Sequence, residues 1–486
     1  MSERTGHTAQ ITVTHVPLAW LLLLTLACHS GAAPNSRLPP SGPPSLSLQH
    51  ATLISPGVRP IPNANVTVDQ GRIVCAGTAT ACPRPSGSKI VDLTGTYLGP
   101  GLIDAHVHYS QTGWVDGRPD AADLRAQYPY DSVVHFLEAH PDRFHRADLC
   151  SGVTSVFDVG GFPWTYQLAR STRGASDAPR VVAAGPLLST ITVDSQMMGQ
   201  FDFMRDEATV RAAVRAHRAA GAEAIKVWYI QVPDSLHPWA KAMLVAAGDE
   251  ARKAGLRLIV HATELPNAKE AVAAGAKVLV HDVETGTVDQ EFLQAVKRAG
   301  TIVIPTLTVL EGYADVAMGR SPGLRYPLDC VDRETRRKLE TVLPDSITKR
   351  AREFWNGPVA RDLMTTSMDN LGRMYRAGVP IAMGTDAGNP GTAHGPSVYR
   401  EMELMEQAGM PAAAVFASAT IVAARAMALD TEVGSVERGK RADLVAFEAD
   451  PTKDIKNARR VRLVVHNGVV FTRAELLPEG TGSGER

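Results

Sequence analysis

The pattern of apolar and polar positions divides the chain into a β-rich beginning, a long alternating middle and a β-rich end. Over residues 46–98, short apolar or alternating runs are separated by Gly-containing turns, which is typical of antiparallel strands. Similar runs return at 442–447 and 461–470. Because neither end has enough strands to bury a core by itself, we expect both ends to combine in one small β-sandwich.

In the middle, from 101 to 429, short apolar runs alternate with longer stretches rich in Ala, Glu, Arg and Leu. Strand–helix alternation indicates a parallel sheet, and a count of about eight strands favours a (β/α)8 barrel over an open sheet. The stretch 306–374 is too long for a plain loop, so we predict helices at 333–342 and 347–355. After the first run at 101–108, the apolar runs lie at 154–157, 180–184, 224–228, 256–260, 277–280, 301–304 and 379–383.

The predicted fold class is therefore α/β. A (β/α)8 TIM barrel occupies residues 100–430, and a small β-sandwich is built from 46–99 and 431–476. The tail, 477–486, is Gly-rich and is predicted to be disordered.

The first residues carry an export signal. The apolar block 18–27 is too short for a transmembrane helix and fits the hydrophobic region of a signal peptide. It ends in Thr-Leu-Ala before Cys28, which resembles a bacterial lipoprotein processing site and predicts a lipid anchor there; ordinary cleavage a few residues further on is the alternative. Residues 1–28 are thus a signal peptide with a lipobox, and 29–45 a flexible tether. We expect an exported bacterial protein that is periplasmic or membrane-anchored as a lipoprotein.

Composition excludes some classes of function. Hydrophobic residues make up 44% and charged residues 21% of the chain, and the formal net charge is −1. These values fit a soluble globular protein and give no basic surface of the kind that nucleic acid binding needs. Cys75 and Cys82 could bridge within one hairpin or stay as free thiols. No Cys-x-x-Cys motif or Cys–His cluster indicates a cysteine zinc site.

The first candidate chemistry lies at the end of the run 101–108, in the sequence His106-Val107-His108. Residues two apart on a strand share one face, so both imidazoles project together. Neutral imidazole is a common zinc ligand. By itself, however, the pair also fits ordinary core or surface histidines.

Four further candidate ligands occur in or after other predicted barrel strands. Lys226 lies inside an apolar run, where an amine is costly unless it is paired, neutral or modified. His261, His281 and Asp386 follow three other runs. Barrel enzymes place their active sites at the carboxyl ends of the strands, so all these side chains are aimed at one mouth. Each one alone fits a structural role, but together they predict a metal site made by His106, His108, Lys226, His261, His281 and Asp386.

In the order and setting of these residues, the sequence closely resembles the amidohydrolase superfamily of metal-dependent hydrolases. The resemblance covers nearly the whole mature chain, and within the superfamily it is to the branch of prolidase-like and Xaa-Lys/Xaa-Arg dipeptidases and imidazolonepropionase-related proteins. One departure is Phe157, which precedes Asp158 where the family often has Arg. The matching motifs are PGLIDAHVH at 100–108, Lys226, His261, His281, GTDAG at 384–388 and GKRADLV at 439–445.

This resemblance implies a binuclear metal site, with Zn²⁺ as the expected ion. A metal-bridged hydroxide would attack the scissile carbonyl, and Asp386 would take its proton and pass it to the leaving amine. In this arrangement His106, His108 and Asp386 hold the buried ion, His261 and His281 hold the outer ion, and Lys226, carboxylated by CO2, bridges both.

The predicted function is an amidohydrolase that cleaves a C–N amide bond in a small molecule, of the dipeptide or N-acyl amino acid type. Substrate contacts are predicted for Trp228 or Tyr229, shortly after Lys226, and for His394, on the loop after Asp386. Alternatively, Trp228 and Tyr229 only pack within the barrel, and His394 is an ordinary loop histidine.

Two other functions stay open at this point. One is a mononuclear deaminase or a cyclic amidohydrolase of the imidazolonepropionase type, against which a bridging lysine argues. The other is a non-catalytic, metal-binding surface lipoprotein. The sequence is compatible with a homo-oligomer and does not fix the oligomeric state.

Overall fold

The structure is a computed structural model that describes residues 45–192 and 195–478. The signal peptide predicted for 1–28, the anchor predicted at Cys28, the tether up to residue 44 and the tail from residue 479 lie outside the described residues. Among the helices of the described part, none is long and apolar enough to cross a membrane.

Strands and helices alternate in the middle of the chain, between two β-rich ends, so the fold is α/β. The strands are β1 (Leu46–Ser55), β2 (Val58–Asp69), β3 (Arg72–Thr78), β4 (Lys89–Asp92), β5 (Tyr97–Pro100), β6 (Leu102–Val107), β7 (Val153–Asp158), β8 (Arg180–Ala183), β9 (Leu187–Ser189), β10 (Phe201–Phe203), β11 (Ala224–Trp228), β12 (Arg257–His261), β13 (Val278–Val280), β14 (Ile302–Ile304), β15 (Leu444–Phe447), β16 (Val461–His466) and β17 (Val469–Thr472). The helices are α1 (Tyr130–Ala139), α2 (Asp142–Cys150), α3 (Thr165–Ser171), α4 (Glu207–Ala220), α5 (His237–Lys253), α6 (Leu265–Ala273), α7 (Gln290–Ala299), α8 (Leu307–Met318), α9 (Arg333–Leu339), α10 (Asp345–Asn356), α11 (Pro358–Arg376), α12 (Ser397–Gln407), α13 (Ala412–Ala417), α14 (Ala423–Ala426) and α15 (Arg473–Leu476).

The two β-rich ends of the chain meet in one sheet, with the strand order β17-β16-β15-β5-β1-β2-β3 and β4 paired to β1. The junction is the antiparallel pair β15–β5, in which Val445 lies opposite Gly99. Alternate side chains such as Leu48, Val66 and Leu444 form its buried core. The structure hydrogen-bonds all these strands into one continuous sheet, because the last part of the chain pairs directly with the first. Whether this sheet folds over into the predicted sandwich stays a prediction.

The middle of the chain forms two parallel sheets, β6-β7-β8 and β10-β9-β11-β12-β13-β14. Backbone hydrogen bonds connect their edges. Glu223 N donates to Ala183 O (3.0 Å) between β11 and β8, and Val303 N in β14 donates to Pro380 O (3.0 Å). Ala105 N in β6 donates to Met383 O (3.1 Å). The arrangement is TIM-barrel-like, with the carboxyl ends of neighbouring parallel strands at the same edge.

Local sequence signals set the ends of the outer helices. α4 begins after Asp206, whose side chain accepts a hydrogen bond from Thr209 N, and ends at Gly221, which has a φ of +108°. α7 repeats this pattern with Asp289 at its start and Gly300 at its end. Such caps satisfy backbone groups that a helix leaves free, so each helix stops where the chain must turn into the next strand.

The stretch after β14 is a helical excursion, as its length predicted. It contains α9 and α10, which match the predicted helices at 333–342 and 347–355 within a few residues. A disulfide joins Cys330 in this excursion to Cys150 at the end of α2, across a sequence separation of 180 residues. A second disulfide joins Cys75 to Cys82, which is the bridged alternative for that hairpin.

Removing the long-range disulfide is expected to destabilise the protein more than removing the short one. In the chain-entropy description, a disulfide that closes 180 residues contributes roughly 5 kcal/mol to the free energy of unfolding, and one that closes seven residues roughly 2 kcal/mol. We therefore expect the Cys150→Ala/Cys330→Ala variant to melt at a clearly lower temperature than Cys75→Ala/Cys82→Ala. Differential scanning calorimetry checks this, and equal melting temperatures would contradict it.

Candidate metal centre

Three buried donor atoms converge at the end of β6. His106 Nε2 and His108 Nε2 are 3.3 Å apart, and Asp386 Oδ1 lies 3.1 Å from the first and 2.9 Å from the second. In the described part of the chain, Asp386 Oδ1 is a buried atom with no correctly angled hydrogen-bond partner. Two imidazoles and a carboxylate that share one point in this way fit a divalent cation, which would compensate the buried charge.

The position of Asp386 depends on its backbone. Its N–H donates to His106 O (2.8 Å), so the loop after Met383 runs directly beside β6. Asp386 has a φ of +62°, in the left-handed region that non-glycine residues seldom adopt and that clusters at functional sites. This backbone geometry turns the carboxylate toward the two imidazoles.

The remaining predicted ligands lie around this triad. The rings of His261 and His281 have centroids 4.4 Å apart, and those of His281 and His106 are 5.0 Å apart. Lys226, in β11, is only 2% exposed. The structure therefore brings together all six residues that the sequence singled out, and all but His106 reach one cavity: His108, Lys226, His261, His281 and Asp386.

Burial makes these groups suitable as ligands. It lowers the pKa of His106 to about 4 and that of His261 to about 3, so both rings are neutral at pH 7 and keep a free lone pair. Burial alone would raise the pKa of Asp386, but His106 and His108 hold it well below its usual range.

Lys226 is electrostatically unusual. Burial lowers the pKa of its amine to about 7, although the nearby Asp386 carboxylate opposes the shift. A lysine of this kind is largely neutral at slightly alkaline pH. Its nitrogen then has the lone pair that reaction with CO2 requires.

A hydrogen bond fixes which atom of His108 faces the site. His108 Nδ1 donates to Gly160 O at 2.6 Å, which leaves Nε2 as the unprotonated atom of a neutral ring. Asp158 in turn accepts from Gly160 N (3.1 Å) and from Tyr109 N (2.9 Å). Asp158 thus positions the carbonyl that orients His108, a role typical of groups just behind metal ligands.

His281 is held in a similar way from the other side of the cavity. Its Nδ1 lies 2.7 Å from Thr306 Oγ1. Thr306 has a φ of +52° and stands at the start of α8, where Glu401 accepts hydrogen bonds from Leu307 N (3.0 Å) and Thr308 N (2.7 Å). Glu401, more than 100 positions along the chain, therefore fixes the turn that orients His281.

The substitution Asp158→Asn is expected to lower metal affinity by about 10- to 100-fold, as for other groups that orient metal ligands. An amide has only one acceptor oxygen, so its NH2 group would face a backbone N–H and the loop that contains Gly160 would shift. Titration of the metal-free protein with Zn²⁺ measures the effect. Unchanged affinity together with an unchanged melting temperature would contradict this role of Asp158.

The cavity above the six residues has a volume of about 520 Å³. Its lining contains both polar and apolar side chains. Sequence reasoning missed most of this wall, and the clearest overlooked signal is that Arg118, Asn389 and Glu284 each lie on a loop shortly after a predicted ligand. The polar lining residues include Gln111, Arg118, Asp120, Glu284, Tyr313 and Asn389, and the apolar lining residues include Leu187, Ile191, Met197, Phe201, Trp228, Val309 and Leu310.

Of the residues predicted to contact the substrate, Trp228 belongs to the cavity lining, whereas Tyr229 and His394 do not. Trp228 lines the cavity, on the same side of β11 as Lys226. Tyr229 faces the opposite side because side chains alternate along a strand, and its hydroxyl donates to Glu270 (2.6 Å) on α6.

His394 is also outside the cavity wall. Its ring stacks on Phe144 at a centroid distance of 4.0 Å, and its Nε2 donates to His108 O (3.2 Å). His394 thus supports the backbone of a predicted ligand from behind, and it is buried there.

Comparison with known proteins is consistent with this site. The sequence profile described as the amidohydrolase family matches residues 97–471. Imidazolonepropionase of Rhizorhabdus wittichii is 26% identical over 427 residues, which is 82% of this chain and 92% of that protein. Ochratoxinase of Aspergillus niger is 24% identical over 456 residues, which is 87% and 85% of the two chains.

Solved structures resemble the fold as a whole. A Xaa-Pro dipeptidase with bound methionine superposes with a TM-score of 0.68 at 22% identity, over 88% of this chain and 100% of that one. Molinate hydrolase gives a TM-score of 0.66 at 20% identity, over 92% and 98%. At such identities the likeness establishes the shared fold.

Proposed function

This chain belongs to the amidohydrolase family, and from that premise we propose that it is a binuclear metal-dependent hydrolase of amide C–N bonds in dipeptides or N-acyl amino acids. One observation supports this above all others. The donor atoms of His106, His108 and Asp386 converge within 3.3 Å of one another, beside a buried lysine and two further imidazoles in one cavity.

The side chains present fit two divalent cations, for which Zn²⁺ is the proposed identity. Imidazole and carboxylate donors suit zinc, and the buried, hydrogen-bond-free Oδ1 of Asp386 needs a positive partner. Such ions, when bound, supply a hydroxide nucleophile at neutral pH and polarise the carbonyl under attack. One ion would be held by His106, His108 and Asp386 and the other by His261 and His281, with Lys226 between them.

Lys226 would act as a carbamate. Its neutral Nζ attacks the carbon of CO2, a C–N bond forms as one C=O π bond opens, and one proton leaves to solvent, so that a neutral amine becomes an anionic carbamate. The two new oxygen atoms can then face two cations. Burial favours this reaction because it keeps the amine neutral at moderate pH.

Asp386 is the proposed proton carrier. Its carboxylate is ionised, because the imidazoles hold its pKa low, and it reaches the cavity. It would take a proton from the attacking water and deliver it to the amide nitrogen, which is a poor leaving group until it is protonated. The same carboxylate therefore serves both halves of the reaction.

The cavity wall supports a substrate with both polar and apolar parts. Gln111 is 8% exposed, and its Oε1 is buried without a hydrogen-bond partner among the described residues. Tyr313 donates to Asn389 Oδ1 (3.0 Å) on the same wall. These groups can hydrogen-bond an amide or carboxylate, while Trp228 and Phe201 pack against an apolar side chain.

A library of dipeptides and N-acyl amino acids, incubated with the protein loaded with Zn²⁺ in bicarbonate buffer, tests the proposal. Release of the free amine, detected by mass spectrometry and abolished by a chelator, is the expected result. Metal-loaded protein that releases no amine from any member of the library would overturn it.

A cyclic amidohydrolase is the second candidate, favoured by the 26% identity to an imidazolonepropionase over most of the chain. It predicts opening of a lactam or imidazolone ring with one metal equivalent per chain. Lys226 argues against it, because a single-metal site needs no bridging ligand. Metal stoichiometry, measured together with the identity of the released product, separates the two candidates.

Two structural proposals accompany this function. The hydrogen bonds that join β8 to β11 and β14 to β6 through residues 380–383 support a closed (β/α)8 barrel. The two disulfides support an oxidising compartment, where such bonds persist, in agreement with export. Cell fractionation and lipid labelling of wild type and Cys28→Ser test export and anchoring.

A further inference from the structure

Glu284 places a carboxyl group in the wall of the catalytic cavity, three residues after His281. Its backbone N–H donates to Thr263 O at 2.8 Å, and Thr285 bridges to Glu264 in the adjacent loop. The loops after β12 and β13 are thus tied together, so the Glu284 side chain rests on a fixed backbone. Within the described residues, this side chain forms no hydrogen bond and no ion pair.

The other ionisable groups of the cavity wall are differently placed. Arg118 forms two bonds to Asp120, at 2.8 and 2.7 Å, so this pair is neutral overall. Asp386 lies against two imidazoles, and Lys226 lies beside the predicted ligands. Among the described residues that line the cavity, Glu284 is the carboxylate whose charge is available to a bound molecule.

The surroundings of Glu284 favour a positively charged partner. It is partly buried, and burial, followed by the nearby carboxylate of Glu264, raises its pKa. A partly buried carboxylate without a counter-ion is costly. A cation placed beside it would remove that cost and form a charge-assisted hydrogen bond.

We propose that Glu284 determines substrate specificity by binding an organic cation, an ammonium or guanidinium group, carried by the amide substrate. This inference rests on the proposed amide hydrolase function and narrows its substrate class. The aromatic pair Trp228 and Phe201, with ring centroids 5.3 Å apart, lines the same cavity and can pack against the apolar stem of such a molecule. The cation has two sources, the free amino terminus of a peptide or a basic side chain.

Four compounds distinguish these sources: Ala-Lys, Ala-norleucine and the N-acetyl form of each. Norleucine has nearly the shape of lysine but no charge, and acetylation removes the α-ammonium group. We measure kcat/KM for wild type, Glu284→Gln and Glu264→Gln. Glu264 is the matched control, because it lies in the adjacent loop, acts electrostatically on Glu284 and is not part of the cavity wall.

Wild type is expected to prefer one cationic form by about 10- to 100-fold, the range for a charge-assisted hydrogen bond in a partly buried site. Glu284→Gln should reduce this preference to less than about threefold, and Glu264→Gln should keep most of it. If Glu284→Gln no longer distinguishes free from acetylated peptides, the α-ammonium group is the cation that Glu284 binds. If it no longer distinguishes lysine from norleucine, the bound cation is the lysine side chain.

Isothermal titration with the same four compounds keeps the inference separate from the proposed function. If none of them is hydrolysed, a cation preference in binding that Glu284→Gln abolishes still supports the inference. The inference is overturned if wild type hydrolyses and binds all four compounds equally well. It is also overturned if Glu284→Gln and Glu264→Gln reduce the cation preference to the same extent. Matching melting temperatures show that Glu284→Gln is folded.

Discussion

The Asp386→Asn variant is expected to hydrolyse amide substrates with a kcat about 10²- to 10⁴-fold below that of the parent protein, the usual contribution of a positioned acid–base group. An amide side chain keeps the size of the carboxylate but cannot accept a proton from water and then return it to nitrogen. Because Asn also offers a neutral oxygen donor, the metal site should be weakened less than the reaction. Steady-state kinetics and metal analysis on the same sample separate these two effects.

The pH dependence gives an independent check on Asp386. His106 and His108 keep the pKa of this carboxyl well below its usual range, so the ionised form persists as the pH falls through 5. We therefore expect kcat of the parent to show no acidic limb that belongs to Asp386 in the range where an ordinary Asp or Glu loses its charge. A variant Asp386→Asn that retains two metal equivalents and the parental rate would refute the proton-transfer role.

The convergence of the six candidate ligands could be predicted from the sequence because it depends on simple rules of strand geometry. Alternation along a strand places His106 and His108 on one face, and parallel strands bring their carboxyl ends to one edge, so His261 and His281 must lie near them. The same alternation separates Trp228, which lines the cavity, from Tyr229, which donates to Glu270. For this pair the same rule distinguishes the two neighbours, because Trp228 shares the face of Lys226 and Tyr229 does not.

The rest of the site depends on contacts between distant parts of the chain. Tyr313 reaches the cavity from α8, and Glu401 contributes because α12 meets the start of α8. The disulfide between Cys150 and Cys330 joins residues 180 positions apart. No local pattern in the sequence encodes these distances. These contacts depend on how the helices after β14 pack in the folded chain.

Truncation of Lys226 to alanine is expected to leave one tightly bound metal equivalent per chain instead of two and to lower kcat by about 10³-fold, equivalent to roughly 4 kcal/mol of transition-state stabilisation. The loss follows because His261 and His281 alone offer too few donors to keep the outer ion. Elemental analysis measures the stoichiometry. A short carboxylate such as propionate, added to the variant, should restore part of both metal content and activity by occupying the vacated space.

The parent protein should show the matching dependence on CO2. The pKa of Lys226 is lowered to about 7, so the amine is neutral above that pH and protonated below it. Metal uptake by the metal-free parent should therefore be accelerated by bicarbonate at pH 8 and much less at pH 6. Lys440→Ala is the matched control, because Lys440 is another buried lysine but donates to Ser435 (2.6 Å) in the β-sheet domain. The proposed lysine bridge is wrong if Lys226→Ala binds as many metal ions per chain as Lys440→Ala and if the rate of metal uptake by the parent protein does not depend on CO2.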